Sequence, residues 1–206
     1  MSRVKSLAET TRVNTHDRFA MKIDAREVWL KDGEKLILRS PTPDEAETLL
    51  SHLKVMFRES YRNMNGPADR WDTFPVEKER EILEGFANDT WRFMISAFTK
   101  DGAIAGNLTC MGDQGAFQKH CATLGMGMLS QYQGRGLGNQ LLQTAKFEAA
   151  KAGFRRLELN VRTFNKPGIA LYEKIGFTRC GHLHEVALID GEYFDEYVYE
   201  LRIGSV

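Results

Sequence analysis

No excess of charge of either sign marks this chain: 28 Lys and Arg stand against 28 Asp and Glu, so the formal net charge is zero. Proteins that hold nucleic acid or anionic membranes carry a basic surplus or a basic stripe, and neither partner is expected here. Cysteine is scarce. Cys110, Cys121 and Cys180 form no C-x-x-C pair and leave one thiol over, which argues against a disulfide framework or a structural zinc site and points to a reducing compartment. No eighteen apolar residues run together, and the first twenty residues hold no apolar stretch of the signal-peptide kind. Proline is also rare, at 5 residues against 18 glycines in 206, and that excludes collagen-like and low-complexity chains. What is present, 42% hydrophobic and 10% aromatic residues, is enough to bury a single core. The expectation is a soluble, cytoplasmic globule.

Residues 1–26 are polar and weakly periodic and read as an N-terminal arm ahead of one domain, 27–206. Three Asp-Gly pairs then punctuate strand-like runs. Asp32-Gly33 separates 27–30 from 35–40, Asp101-Gly102 separates 91–98 from 103–111, and Asp190-Gly191 separates 177–188 from 193–203. Helices lie between. Thr42-Pro43-Asp44-Glu45 is a capping box ahead of apolar residues at 46, 49, 50, 53, 56 and 57. Pro75 opens a weaker helix through Val76, Ile82, Leu83 and Phe86. An apolar face at 137, 141, 145, 149 and 152 predicts a third helix, capped by Gly153, and Asn165 with Pro167 starts a short one ending at Gly176. The fold class is α+β: a mixed, mostly antiparallel twisted sheet of about seven strands with about four helices. One parallel crossover runs from 119–129 through the third helix to 156–161.

The most informative stretch lies between Leu124 and Leu142. A strand of bulky apolar residues runs into Gln133-Gly134-Arg135-Gly136-Leu137-Gly138-Asn139, and a helix follows at once. Glycines let backbone N–H groups face a ligand without an obstructing Cβ, and the helix start adds unpaired donors and partial positive charge. Such a loop suits a phosphate or pyrophosphate, and Arg135 is placed to add a charged contact. A ligand-free turn needs fewer glycines. A dinucleotide loop would find its ribose acid in Glu158, 20 residues past Gly138, but needs G-x-G-x-x-G, whereas the spacing here is G-x-G-x-G. A Walker loop is excluded because no Gly-Lys-Ser/Thr occurs.

Gln133-x-x-Gly136-x-Gly138 resembles the Q/R-x-x-G-x-G/A acyl-CoA loop of the GNAT N-acetyltransferase superfamily; Gln131-x-x-Gly134-x-Gly136 matches too, two residues earlier, and the later frame is preferred because the helix pattern starts directly behind it. Asn165 through Phe177 resembles the second hallmark of that family, an Asn leading into a short helix that carries a Tyr and closes in Gly-Phe. The resemblance covers about four-fifths of the chain and implies the GNAT fold, with acetyl-CoA as cosubstrate and no metal. It implies that Gln133, Gly134, Arg135, Gly136, Leu137, Gly138 and Asn139 bind the pyrophosphate and that Asn165 hydrogen-bonds the cosubstrate. Backbone groups near Met128 and Leu129 would pair with the pantetheine arm in a gap between splayed strands and stabilise the oxyanion. Tyr172 would be the general acid beside the sulfur. Gly125 and Gly127, in the strand ahead of the loop, mark a bulge, a close backbone approach, or room for a helix.

Glu59, Glu81 and Glu196 are candidate bases, as is a water chain. His182 and His184 share a strand face, yet no third metal ligand presents itself in sequence, and with His120 they are expected to be packing or surface residues. The acceptor, chosen in such a family by residues 53–80 and the final hairpin, is expected to be a small-molecule or peptide primary amine. Arg58 to Asn63 and the acidic, aromatic run from Glu192 to Tyr197 would rim its pocket. The same residues also suit a non-catalytic acyl-CoA sensor. Homodimerisation through the arm or the last hairpin is a further expectation of the resemblance.

Overall fold

The computed structural model describes residues 20–204; residues 1–19, most of the expected arm, lie outside the described residues. The arm's last residues belong to the domain. The Ile23 side chain is buried, and its backbone exchanges bonds with Ser40, while the Met21 N–H donates to the Asp89 carbonyl at 2.9 Å.

Eight strands form one sheet in the order β1-β2-β3-β4-β5-β6-β8-β7. They are β1 (Arg26–Trp29), β2 (Lys35–Arg39), β3 (Arg92–Phe98), β4 (Ile104–Gly112), β5 (Cys121–Met128), β6 (Arg156–Arg162), β7 (Thr178–Ile189) and β8 (Glu192–Arg202). Every neighbouring pair is antiparallel except β5 and β6. The three Asp-Gly pairs make the three expected hairpins. Only at Asp190 (φ 53°) and Gly191 (φ 81°) are both residues left-handed, which suits the tight twist between the two longest strands.

Helices cover both faces. Strand β3 shows why: Phe93, Ile95 and Ala97 point into one apolar cluster, Met94 and Phe98 into the other. A strand buried on both sides reads as a continuous apolar run, as this one does. Helices α1 (Ala46–Ser60) and α2 (Val76–Ala87) close the Met94 side; α3 (Leu137–Lys151) and α4 (Lys166–Ile175) close the Phe93 side. Helix α1 is entered through a 3-10 turn in which the Glu45 carboxylate accepts the Thr42 N–H at 2.8 Å and is gripped by Arg39. Gly153 (φ 86°) ends α3 as expected. Among the described residues, no helix is long and apolar enough to cross a membrane.

Candidate active site

Strands β5 and β6 start together and then part. Their parallel register holds for Cys121↔Arg156, Ala122↔Leu157 and Thr123↔Glu158 only, while β5 continues to Met128 on its pairing with β4. The Leu129 N–H donates to the Ala105 carbonyl at 3.0 Å. Because backbone groups of successive strand residues face opposite edges, Gly127 and Gly125 also turn toward β4, and Leu124, Met126 and Met128 turn toward the split. This corrects half of one expectation: Met128 offers its amide to the gap, whereas the amide of Leu129 is already spent on Ala105.

The glycines of β5 make no bulge. The β4–β5 register runs unbroken from Gly106↔Met128 to Gly112↔Ala122. Instead Gly127 gives room to a helix: a Cβ there would lie 2.2 Å from the Met56 Sδ of α1.

At the end of β5 the chain makes a short 3-10 turn, Ser130–Tyr132, and enters the glycine loop. Gly134 (φ 71°) and Gly136 (φ 97°) are left-handed, a conformation that side chains resist. The β1–β2 hairpin braces the loop through its carbonyls: Lys31 N–H donates to the Arg135 carbonyl at 2.9 Å and Lys31 Nζ to that of Gly134 at 3.2 Å. Gln133 N–H closes on the Ser130 carbonyl at 3.1 Å, but the amides of residues 134–139 are left without an acceptor among the described residues. Leu137, Gly138 and Asn139 open α3, where such donors have no intrahelical partner. The structure thus gathers six main-chain donors at a helix start beside the β5–β6 split.

Arg135 is placed differently from its expected role. Its Nε meets Asp32 Oδ2 at 2.5 Å, its Nη2 meets Glu34 Oε2 at 2.5 Å, and its guanidinium lies 5.1 Å from the centre of the Tyr132 ring. The Arg135 hydrogen bond holds the Asp32 carboxyl below its usual range. With its charge matched by two acids, the residue braces the loop and offers an anion only its backbone amide. Gly138 has a packing duty too, since a Cβ there would lie 2.7 Å from the Leu171 side chain of α4.

Helix α4 carries the second motif. Asn165 Oδ1 accepts the Gly168 N–H at 3.0 Å and caps the helix, leaving its Nδ2 donors for another partner. Tyr172 is 8% exposed, with its ring edge-on to Phe177 and tilted against Tyr199. Burial pushes its phenol up to about 12.

The three expected bases separate. Glu59 Oε2 accepts the Ser130 N–H at 2.7 Å, two residues past Met128 and beside the gap. Glu81 is exposed on α2. Glu196 is partly buried in an ion pair with Arg162 and accepts from Asn160 Nδ2 at 3.2 Å. Arg162, only 6% exposed at the end of β6, also reaches the carbonyls of Arg62 (3.4 Å) and Met64 (3.5 Å) after α1.

The rim of Arg58–Asn63 and Glu192–Tyr197 does come together, but its charges are matched internally. Tyr61 Oη donates to Asp190 at 2.7 Å, Arg62 pairs with Glu192 at 2.8 Å, and Phe194 packs on Phe164. Asp195 meets His182 Nε2 at 2.8 Å and His184 Nδ1 at 3.1 Å, which supplies the third group that the sequence left missing beside the histidines. His52 was not anticipated at all. Its Nδ1–H donates to the Ile104 carbonyl at 2.9 Å, its Nε2 is buried with no close hydrogen-bond partner among the described residues, and burial drives its pKa down to about 4. A histidine on an amphipathic helix face carries no sequence signal of this.

Residues 53–177 match the acetyltransferase (GNAT) family model. The SPbeta prophage-derived uncharacterized N-acetyltransferase YokL of Bacillus subtilis is 27% identical over 175 residues, 79% of this chain and 87% of its own length. A GNAT-family acetyltransferase structure from Streptococcus pneumoniae superposes with TM-score 0.74 at 28% identity, covering 82% of this chain and 99% of that one. The RimL ribosomal L7/L12 alpha-N-protein acetyltransferase, solved with coenzyme A, has TM-score 0.69 at 20% identity over 83% of this chain and 96% of its own. With two motifs, one sheet topology and a family model agreeing over more than half its length, this chain belongs to the GNAT acetyltransferases.

Proposed function

We propose that the protein transfers acetyl from acetyl-CoA to a primary amine of a small molecule or a peptide N-terminus by direct attack. The observation that carries this reading is the row of main-chain donors from Gly134 to Asn139 at the start of α3, next to a strand edge without a ladder partner. A pyrophosphate fits the first, and the amides of an extended pantetheine arm fit the second. The coenzyme A in RimL supports the same choice of cosubstrate.

The chemistry follows from where the chain's donors lie. The Met128 N–H faces the gap and stabilises the oxyanion as the amine attacks the thioester carbon. Asn165 Nδ2 steadies the arm. A phenol held near 12 stays neutral, and handing its proton to a free thiolate of ordinary pKa near 8.5 is uphill by about 5 kcal/mol. Tyr172 therefore acts as a general acid in concert: it hydrogen-bonds the sulfur as charge builds and passes its proton as the amine releases one. Glu59, directly or through water, receives the amine proton.

Tyr172→Phe is expected to lower kcat by about 10²- to 10⁴-fold while leaving CoA affinity within about twofold. Unchanged turnover would remove Tyr172 from the mechanism. In amide NMR spectra titrated with CoA, residues 134–139 are expected to shift most. Shifts confined elsewhere would overturn the loop assignment, and silence across a panel of diverse amines would leave an acyl-CoA sensor.

A further inference from the structure

We propose that His182, His184 and Asp195 form a binding site for a divalent ion of borderline softness such as Zn²⁺, on the β7–β8 hairpin, with none of the glycine-loop residues, Tyr172, Asn165 or Glu59 among its ligands. Their ligand atoms all lie within 4.8 Å of one another. Asp195 Oδ2 is 2.8 Å from His182 Nε2 and 3.1 Å from His184 Nδ1. In a tetrahedron of 2.0 Å bonds, neighbouring ligands stand about 3.3 Å apart, so the two carboxylate–imidazole pairs open by a few tenths of an ångström and the two ring nitrogens, no more than 4.8 Å apart, settle to the same spacing to make three corners. Two imidazoles and one carboxylate suit zinc, and also nickel or copper, far better than the all-oxygen shells of Mg²⁺ and Ca²⁺.

The hairpin is shaped to make this convergence. Pairing passes from Leu183↔Glu196 to Ala187↔Phe194, so residues 184, 185 and 186 of β7 stand against Asp195 alone. Glu185 takes a left-handed φ of 51° in that bulge, an arrangement that strains a non-glycine residue. In return its N–H donates to Asp195 Oδ1 at 2.9 Å, which fixes the carboxylate and leaves Oδ2 to both rings. The two rings lie 4.1 Å apart, and the His182 ring is steadied edge-on by Tyr197. A simple surface ion pair needs one histidine; this carboxylate oxygen gathers two. The His184 side chain is 73% exposed, so an ion reaches the site and keeps its remaining positions for water or an incoming ligand.

Cys180, exposed two residues before His182, is the rival thiol ligand. Titrating the full chain with zinc alone, and with cobalt alone as a visible-absorption probe, separates the two. One zinc is expected per chain, with a cobalt d–d band typical of low coordination number. Affinity is expected to fall by about 100-fold or more in His184→Ala and in the near-isosteric Asp195→Asn, and to be unchanged in Cys180→Ser. Circular dichroism identical to wild type certifies that each variant is folded. No uptake from millimolar zinc, or uptake lost in Cys180→Ser but kept in Asp195→Asn, would overturn the proposal.

Discussion

At the scale of single residues, His52 and Tyr172 show burial acting on two titratable groups in opposite directions. The Tyr172 phenol is raised, and it stays protonated throughout the physiological range. No alkaline fall in kcat/KM from this residue is therefore expected below about pH 11; a pH–rate profile checks it. For His52 the folded pKa, about 4, lies below the ordinary histidine value of 6.5. Between those two values the unfolded chain binds a proton that the folded chain refuses, so stability is full above pH 6.5 and is lost as pH falls toward 4. The loss amounts to about 3 kcal/mol. In His52→Asn the amide retains a donor for Ile104, and urea midpoints measured from pH 4 to 7 are expected to lose most of that slope. Neither shift was legible in the sequence, because burial on an amphipathic helix depends on which strand lies beneath it. The positions of Tyr172 and Asn165 were legible, since motif spacing alone places them on one short helix.

Elements were read more completely than residues. Hairpins at all three Asp-Gly pairs, the start of α3 behind the glycines and the single parallel crossover all follow from turn chemistry and apolar period. The eighth strand, the three-residue bulge opposite Asp195 and the duty of Arg135 do not, since each depends on contacts far apart in the chain. The hidden duty of Gly138 yields a prediction about two helices. Gly138→Ala brings a methyl to 2.7 Å from the Cδ2 end of Leu171, which must swing aside within the α3–α4 contact, at a cost of about 1 kcal/mol. Denaturant midpoints are expected to show this loss. Combining it with Leu171→Ala is expected to cost less than the sum of the two single changes, a coupling that a double-mutant cycle reads directly.

For the molecule as a whole, the last hairpin is fastened to the end of α1 across more than a hundred residues of sequence. Arg162 stands at the centre of that clasp, with Glu196 on one side and the Arg62 and Met64 carbonyls on the other. Arg162→Met leaves a partly buried carboxylate without its cation, and a loss of about 1–3 kcal/mol is expected in chemical denaturation. Replacing Glu196 by Met as well is expected to recover much of it. In the single variant, KM for the amine is expected to rise while CoA binding holds, because the clasp lies across the split from the glycine loop. The same fastening has a bearing on synthesis. Tyr61 bonds to a residue 129 positions later and Arg62 to one 130 later. At about 5–20 residues per second, a ribosome delivers those partners roughly 6 to 26 s after the segment they secure. Until Asp190 and Glu192 have emerged, the segment after α1 lacks both partners that tie it to the last hairpin.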